Sequence, residues 1–89
     1  MLVALICRDR PGRLATRTAT RSAHLDHIRD TGVVQMAGPL VENGEMCGSL
    51  IVLDVPGLAE ARAWAAADPY ARAGLFDRVD VIEWRKVIG

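Results

Sequence analysis

The chain has few cysteines, few aromatic residues and no net charge, and each of these shortages excludes a class of protein. Its two cysteines, Cys7 and Cys47, do not form a CxxC motif and have no His or Cys cluster near them. Metal-ligand spacing is therefore absent, and we expect two reduced thiols in the cytoplasm. Eleven basic and eleven acidic residues cancel, and aromatic residues make up only 4% of the chain. That balance disfavours nucleic-acid and membrane-surface binding.

Long apolar runs and several catalytic loop motifs are also missing. The first apolar run, Met1–Cys7, is too short for a signal peptide or a membrane span. We therefore expect a soluble, cytoplasmic protein. No glycine-rich phosphate loop is present, and no GxSxG motif surrounds Ser49, which disfavours a serine nucleophile. We expect neither a metal nor another cofactor.

The length fits one domain, which we assign to residues 1–89. A domain of this size buries only about 60–65% of the surface of its unfolded chain. Hydrophobic residues nevertheless make up 51% of the sequence. We therefore expect part of the apolar surface to contact a partner subunit.

The order of elements predicts a ferredoxin-like α+β fold, βαββαβ, with a four-stranded antiparallel sheet. Strands are predicted at Met1–Cys7, Val33–Leu40, Gly48–Val55 and Arg78–Lys86, and helices at Leu14–Thr31 and Leu58–Ala67. Gly32 is placed to end the first helix, and Asn43-Gly44 is typical of a hairpin turn. The apolar pattern changes parity between Val81 and Ile82, which predicts a bulge.

The pattern of the strands predicts a homodimer formed through the sheets. Two helices can cover only one face of a four-stranded sheet. The strands Met1–Cys7 and Gly48–Val55 are nevertheless apolar on both faces. The sheet of a second copy of the chain would cover the face that the helices leave open.

The first helix places two arginines and a histidine on the side that its apolar residues mark as inward. At about 100° per residue, the side chains that share this face are Arg17, Arg21, His24, Leu25 and Ile28. Two interpretations remain open. The histidine could be hydrogen-bonded at the edge of the core while the arginines extend to solvent. Alternatively, the arginines attract an anionic small molecule and His24 exchanges protons with it.

Asp68, at the end of the second helix, also has two interpretations, and these are compatible. It could be the N-cap of a short turn, with Pro69 at the first helical position and Gly74 at its end. It could also approach His24, because both helices lie on one side of the sheet, and would then fix the tautomer of the imidazole. His27 lies off this face and is expected to be solvated.

The tryptophans Trp64 and Trp84 are interpreted as core or dimer contacts rather than as a cofactor site.

Several motifs in order resemble the YciI-like (YCII-related) family over almost the whole chain. They are Arg21-Ser22-Ala23-His24-Leu25, Ala37-Gly38-Pro39-Leu40, Gly48-Ser49, Ala63-Trp64-Ala65, Asp68-Pro69-Tyr70 and Ala73-Gly74-Leu75. The resemblance implies a dimeric α+β barrel and a pocket whose His and Asp map onto His24 and Asp68. Ser49 and Arg21 match positions of the family pattern. The family is similar to muconolactone-isomerase-like proteins, and one member type eliminates chloride from a chlorinated hydroxyhydroquinone.

The leading functional hypothesis is a cofactor-free lyase or isomerase that acts on a small, anionic or aromatic metabolite. His24 would be the general acid and base, and Asp68 its orienting partner. Arg17 or Arg21 would hold the charge of the substrate, and Ser49 would add a hydrogen bond. The alternative is a non-catalytic binding or regulatory module that uses the same pocket.

Overall fold

The computed structural model describes residues 1–89 and contains four strands and three helices. In chain order they are β1 (Leu2–Asp9), α1 (Leu14–Thr31), β2 (Val34–Glu42), β3 (Glu45–Asp54), α2 (Leu58–Ala67), α3 (Pro69–Arg72) and β4 (Phe76–Glu83). All strand pairs are antiparallel, and the order across the sheet is β2-β3-β1-β4. The predicted ferredoxin-like α+β fold is confirmed.

The hairpin of β2 and β3 extends further than the sequence pattern indicated. Both strands continue to the Asn43-Gly44 turn, where Glu42 pairs with Glu45. Asn43 and Gly44 have φ angles of 52° and 78°, as a tight hairpin turn requires. Because the turn is so short, polar residues beside it take part in the sheet.

The last strand differs from its prediction in position and in regularity. It spans Phe76–Glu83 and not Arg78–Lys86. The bulge predicted between Val81 and Ile82 is wrong, since β1 and β4 pair without interruption there. The register shifts instead where Asp9 pairs with Phe76. Val81 packs against the core and Ile82 points to the opposite face. The consecutive apolar residues Val81 and Ile82 therefore arise because both faces of the sheet are apolar.

The core lies between the helices and one face of the sheet. Alternate residues of β1 are buried there, and Leu5 is fully inaccessible to solvent. The buried cluster consists of Val3, Leu5, Cys7, Ile51, Leu53, Val55, Ala61 and Trp64. Full burial of an aliphatic side chain such as Leu5 contributes about 1.5–3 kcal/mol. This packing places α2 over β1 and β4, while α1 lies nearest to β2.

The opposite face of the sheet, which we call the open face, is apolar and uncovered in a single chain. Its apolar side chains are Leu2, Ala4, Ile6, Met36, Leu40, Leu50, Val52 and Ile82, of which Val52 is buried by its neighbours even in the single chain. Met36, Leu50 and Ile82 are respectively 53%, 41% and 51% exposed. Dimerisation through this face stays a prediction.

The helix ends follow the local sequence. Gly32 adopts a left-handed conformation with φ 67°, and its N–H donates to the carbonyl of Ile28, so it ends α1 as predicted. Pro69 begins α3 directly after Asp68. None of the three helices combines the length and the apolar composition that a membrane span needs.

Candidate functional site

A cavity of about 240 Å³ lies between α1 and the β2–β3 hairpin. Its polar lining comes from Arg17, Thr18, Arg21, His24, Ser49 and Tyr70. Its remaining lining comes from Leu25, Ile28, Ala37, Gly38, Pro39, Met46 and Ile51. The cavity therefore combines an apolar wall with hydrogen-bonding groups and cationic groups, as small-molecule sites do.

His24 and Asp68 meet at this cavity. His24 Nδ1 lies 2.8 Å from Asp68 Oδ1, and the two side chains are 8% and 2% exposed. The same carboxylate oxygen accepts a hydrogen bond of 3.0 Å from the backbone N–H of Tyr70. Asp68 is thus both the N-cap of α3 and the partner of His24. Asp68 therefore makes both of the contacts that its sequence position had suggested.

The contact with Asp68 distinguishes the two nitrogens of the His24 ring. A carboxylate only accepts hydrogen bonds, so in the neutral imidazole the proton resides on Nδ1. Nε2 has no hydrogen-bond partner within the protein, and the ring lines the cavity. Nε2 is therefore the nitrogen available to a bound molecule, and it can accept a proton.

Tyr70 fixes the plane of the imidazole. Its ring stacks on His24, with centroids 4.0 Å apart and an interplanar angle of 19°. The guanidinium of Arg17 lies 4.7 Å from the centroid of the same ring. Burial raises the pKa of the Tyr70 phenol, so the phenol stays protonated at neutral pH. Tyr70 had no predicted role, although it follows Asp68-Pro69 directly.

Arg17 is buried and paired, contrary to the interpretation in which it extends to solvent. Its Nε donates to Asp9 Oδ2 at 2.7 Å, and its Nη2 donates to Asp9 Oδ1 at 2.8 Å. Nη2 also donates to Ser49 Oγ at 3.0 Å. Burial lowers the pKa of Arg17, but the hydrogen bonds and charge of Asp9 outweigh burial and raise it overall.

Asp9 was missed as a site residue because the first strand was predicted to end at Cys7, whereas β1 continues to Asp9. The available signal was that it is the lone acid among five arginines between residues 8 and 21.

Arg21 is the cation that remains free at the cavity. It lines the cavity and is exposed, and no carboxylate lies within ion-pair distance of it. The predicted face of α1 thus lines the cavity as expected. Its two arginines differ, because Arg17 is buried in an ion pair whereas Arg21 is exposed and unpaired.

His27 and Trp64 form a second contact between α1 and α2. His27 Nε2 lies 3.2 Å from the Trp64 carbonyl oxygen, and the two rings are 4.4 Å apart. The prediction that His27 is solvated is wrong, because the indole covers one side of its ring. Trp64 belongs to the core, as predicted, and its Nε1 donates to Thr31 Oγ1. Trp84 is 37% exposed.

The remaining titratable groups near the core do not form a second centre. Cys7 lies on the helix-facing side of β1, and burial raises the pKa of its thiol to about 12. A thiol with that pKa is not a nucleophile at neutral pH. No group of three or more His, Cys, Asp or Glu side chains is placed to hold a metal ion.

Comparisons of the sequence point to one family. A model of the YCII-related domain matches residues 1–85. Protein YciI of Escherichia coli O6:H1 is 33% identical over 97 aligned positions, which include 98% of this chain and 99% of that protein. An uncharacterized protein of Haemophilus influenzae is 31% identical over the same shares of both chains.

Two solved structures share the fold. One is the 5-chloro-2-hydroxyhydroquinone dehydrochlorinase of Burkholderia phenoliruptrix AC1100, solved as a complex with 2,5-dihydroxybenzoquinone. It superposes with a TM-score of 0.88 at 29% identity, over 96% of this chain and 94% of that chain. The other is an antibiotic biosynthesis monooxygenase, with a TM-score of 0.57 at 12% identity over 97% and 100% of the two chains. The second likeness concerns the fold alone.

Proposed function

This chain belongs to the YCII-related domain family, and from that premise we propose a cofactor-free lyase or isomerase of a small, anionic or aromatic metabolite. The observation that carries the proposal is the buried contact of 2.8 Å between His24 Nδ1 and Asp68 Oδ1. This contact leaves Nε2 of the same ring unpartnered at a cavity. A titratable pair at a concave site is typical of general acid–base catalysis.

In the proposed reaction, His24 Nε2 removes a proton from a carbon or a hydroxyl group beside a carbonyl group of the substrate. The electron pair of the broken bond moves into the substrate and forms an enolate or a phenolate. A lyase then expels a leaving group with its electron pair, and the imidazolium releases the proton to that group or to water. An isomerase instead returns the proton from Nε2 to a different atom of the substrate. Neither course changes the overall oxidation state of the substrate, so no redox cofactor is needed.

The surrounding residues supply charge stabilisation. Asp68 stabilises the imidazolium that forms when Nε2 takes the proton. Arg21 is the unpaired cation at the cavity and would attract an anionic substrate. Ser49 would add a hydrogen bond to it.

The similar dehydrochlorinase supports this reaction class. Loss of HCl is an elimination in which a proton and a leaving group depart, as in the proposed lyase reaction. That enzyme was solved with 2,5-dihydroxybenzoquinone, a single oxygenated ring, and a cavity of about 240 Å³ is of a size for one ring. We therefore propose a single-ring or similarly small oxygenated substrate for this chain.

We also propose that the protein is a cytoplasmic homodimer formed through the open face of the sheet. Apolar side chains from all four strands are grouped on that face, and large exposed apolar patches usually mark interaction sites. A second sheet would cover them by face-to-face packing. Cys7 and Cys47 are both free thiols, a state that a reducing compartment preserves.

The alternative is a non-catalytic binding or regulatory module that uses the same cavity. It is favoured by the pairing of the polar groups, since every buried side-chain nitrogen and oxygen has a hydrogen-bond partner. Such pairing holds the lining rigid, and a rigid lining that leaves His24 Nε2 and Arg21 open to a ligand suits binding without any reaction.

A turnover experiment separates the two functions. The probes are 5-chloro-2-hydroxyhydroquinone, tested for chloride release, and 2,5-dihydroxybenzoquinone, tested for binding by thermal shift. We expect chloride release by the wild type and a loss of about 100-fold or more in His24→Ala, because general acid–base catalysis contributes about 10²–10⁴-fold. His27→Ala, which changes a histidine outside the cavity, is the matched control and should keep its activity.

Turnover by His24→Ala at the wild-type rate would contradict the mechanism. If the wild type binds one of the two compounds but converts neither, the binding module is favoured.

A further inference from the structure

Ser49 is held by a chain of charged groups that begins on β1. Asp9 engages Arg17 through two hydrogen bonds of 2.7 and 2.8 Å. Arg17 Nη2 donates to Ser49 Oγ at 3.0 Å. Ser49 is 3% exposed and Arg17 is 3% exposed. The three side chains therefore form a buried row that ends at the cavity.

The direction of the Ser49 hydroxyl follows from the chemistry of this row. A guanidinium donates hydrogen bonds and cannot accept them. The Ser49 oxygen therefore accepts from Arg17, and its own hydrogen must point elsewhere. No nitrogen or oxygen of the protein accepts that hydrogen, and Ser49 lines the cavity.

We propose that Ser49 is a hydrogen-bond donor to the ligand, aimed into the cavity by Arg17 and Asp9. The inference rests on the proposed function, because it defines the molecule that the same cavity would take. Arg17 is then a positioning residue that acts through Ser49, and Arg21 alone supplies a free positive charge to the ligand.

The proposal defines a class of ligand by its pattern of donors and acceptors. Ser49 and Arg21 are donors, so the ligand presents a carbonyl or oxyanion oxygen to them. His24 Nε2 is an acceptor in the neutral ring, so the ligand presents an acidic O–H or C–H to it. Both features occur together in hydroxy-carbonyl and enolisable compounds. A ligand with an ammonium group facing Ser49 and Arg21 would place its positive charge beside the unpaired guanidinium and be rejected.

The size of the cavity restricts this class further. Its volume of about 240 Å³ is below the roughly 300–1,000 Å³ of sites for drug-sized ligands. The structure therefore favours one ring or a short chain over nucleotides and other large cofactors.

Neutron diffraction from a deuterium-exchanged crystal tests the orientation without any ligand. We expect the deuteron of Ser49 to point into the cavity and a deuteron on Arg17 Nη2 to point at Ser49 Oγ. A Ser49 deuteron directed at an oxygen of the protein would overturn the proposal. This result is independent of whether the protein is an enzyme.

A double-mutant cycle with tropolone tests the role of Arg17. Tropolone is a single planar ring with a hydroxyl group beside a carbonyl group, and its affinity is measured by calorimetry. We expect Ser49→Ala to weaken binding about tenfold, the effect of one lost hydrogen bond. Arg17→Lys should weaken it in the wild-type background and leave it unchanged in the Ser49→Ala background. An equal loss in both backgrounds would show that Arg17 binds the ligand directly and would overturn its assigned role.

A second variant keeps the test valid if Arg17→Lys fails to fold. Asp9→Leu combined with Arg17→Met removes both charges and leaves no unpaired ion in the interior. It should bind tropolone as weakly as Ser49→Ala does, and wild-type affinity would contradict the proposal. If the wild-type protein binds no tropolone, the proposed ligand class is wrong, and the neutron experiment still decides the direction of the hydroxyl.

Discussion

Asp68 Oδ1 lies 2.8 Å from His24 Nδ1 and also caps α3 through the backbone N–H of Tyr70. One oxygen atom thus connects the imidazole to the start of a helix. Because Tyr70 follows in that helix and stacks on the His24 ring, the cap and the stack fix the ring together. The position of the proposed acid–base group is therefore set by the secondary structure and does not depend on a flexible loop.

Substitutions of Asp68 should separate its structural role from its functional role. Asn is as good an N-cap as Asp, whereas Ala at this position costs about 1 kcal/mol. We therefore expect Asp68→Asn to keep most of the free energy of unfolding and Asp68→Ala to lose about 1 kcal/mol or more in urea denaturation. Turnover should fall at least tenfold in both variants, because neither presents a carboxylate to the imidazole.

The tautomer of His24 gives an independent measurement. In the wild type, ¹⁵N NMR of the neutral ring should show the proton on Nδ1, and Asp68→Ala should give a mixture of tautomers. The opposite tautomer in the wild type, with the proton on Nε2, would contradict the assignment of Nε2 as the base.

Gly48 should be intolerant of a side chain, because β1 and β3 approach each other closely there. A Cβ atom at Gly48 would collide with the backbone carbonyl oxygen of Cys7 and press on Leu40. A backbone atom in a central strand cannot move away cheaply, so we expect Gly48→Ala to lower the free energy of unfolding by at least about 2 kcal/mol. Chemical denaturation monitored by circular dichroism measures the change.

Gly38→Ala is the matched control for Gly48→Ala. Gly38 is a strand glycine in the same hairpin, and a Cβ atom there would meet nothing within 4 Å. Its unfolding free energy should stay within about 0.5 kcal/mol of the wild-type value. Equal losses in the two variants would show that the close approach at Gly48 is not what restricts the position.

The sequence predicted the fold and the approach of His24 to Asp68 because both depend on local signals and topology. The helical spacing of α1 and the Asp68-Pro69 break can be recognised without knowledge of tertiary contacts. The Asp9–Arg17–Ser49 row could not be predicted in the same way. It depends on the register by which Ser49 pairs with Cys7, and periodicity within one segment carries no information on the register between two segments.

The same reason explains the error at His27. Its place on α1 is off the face that includes His24, so helical spacing alone assigns it to solvent. The packing of α2 brings Trp64 against it, and that packing is a tertiary contact.

The thiol of Cys7 should make the protein less stable at high pH. Burial raises its pKa from 9.0 to about 12 in the folded chain. Between pH 9 and pH 12 the unfolded chain loses this proton while the folded chain keeps it, so the free energy of unfolding falls as pH rises. The fall approaches roughly 1 kcal/mol per pH unit. Urea denaturation across this pH range should show this fall in the wild type but not in Cys7→Ala.

A fall of equal size in Cys7→Ala would show that other titrating groups cause the loss of stability.

In the native protein at pH 8, a thiol reagent should react with the half-buried Cys47 alone, and Cys7 should react only after unfolding.

A charge placed on the open face should dissociate the proposed dimer. Leu50 and Ile82 are exposed apolar side chains on that face, and a carboxylate there would be buried without a partner if two sheets packed together. We expect the wild type to sediment as a dimer, and Leu50→Glu and Ile82→Glu to weaken the dimer at least 100-fold in analytical ultracentrifugation. Leu14→Glu changes an equally exposed leucine at the start of α1 and should leave the dimer intact. A wild type that sediments as a monomer at concentrations of tens of micromolar would contradict the proposal.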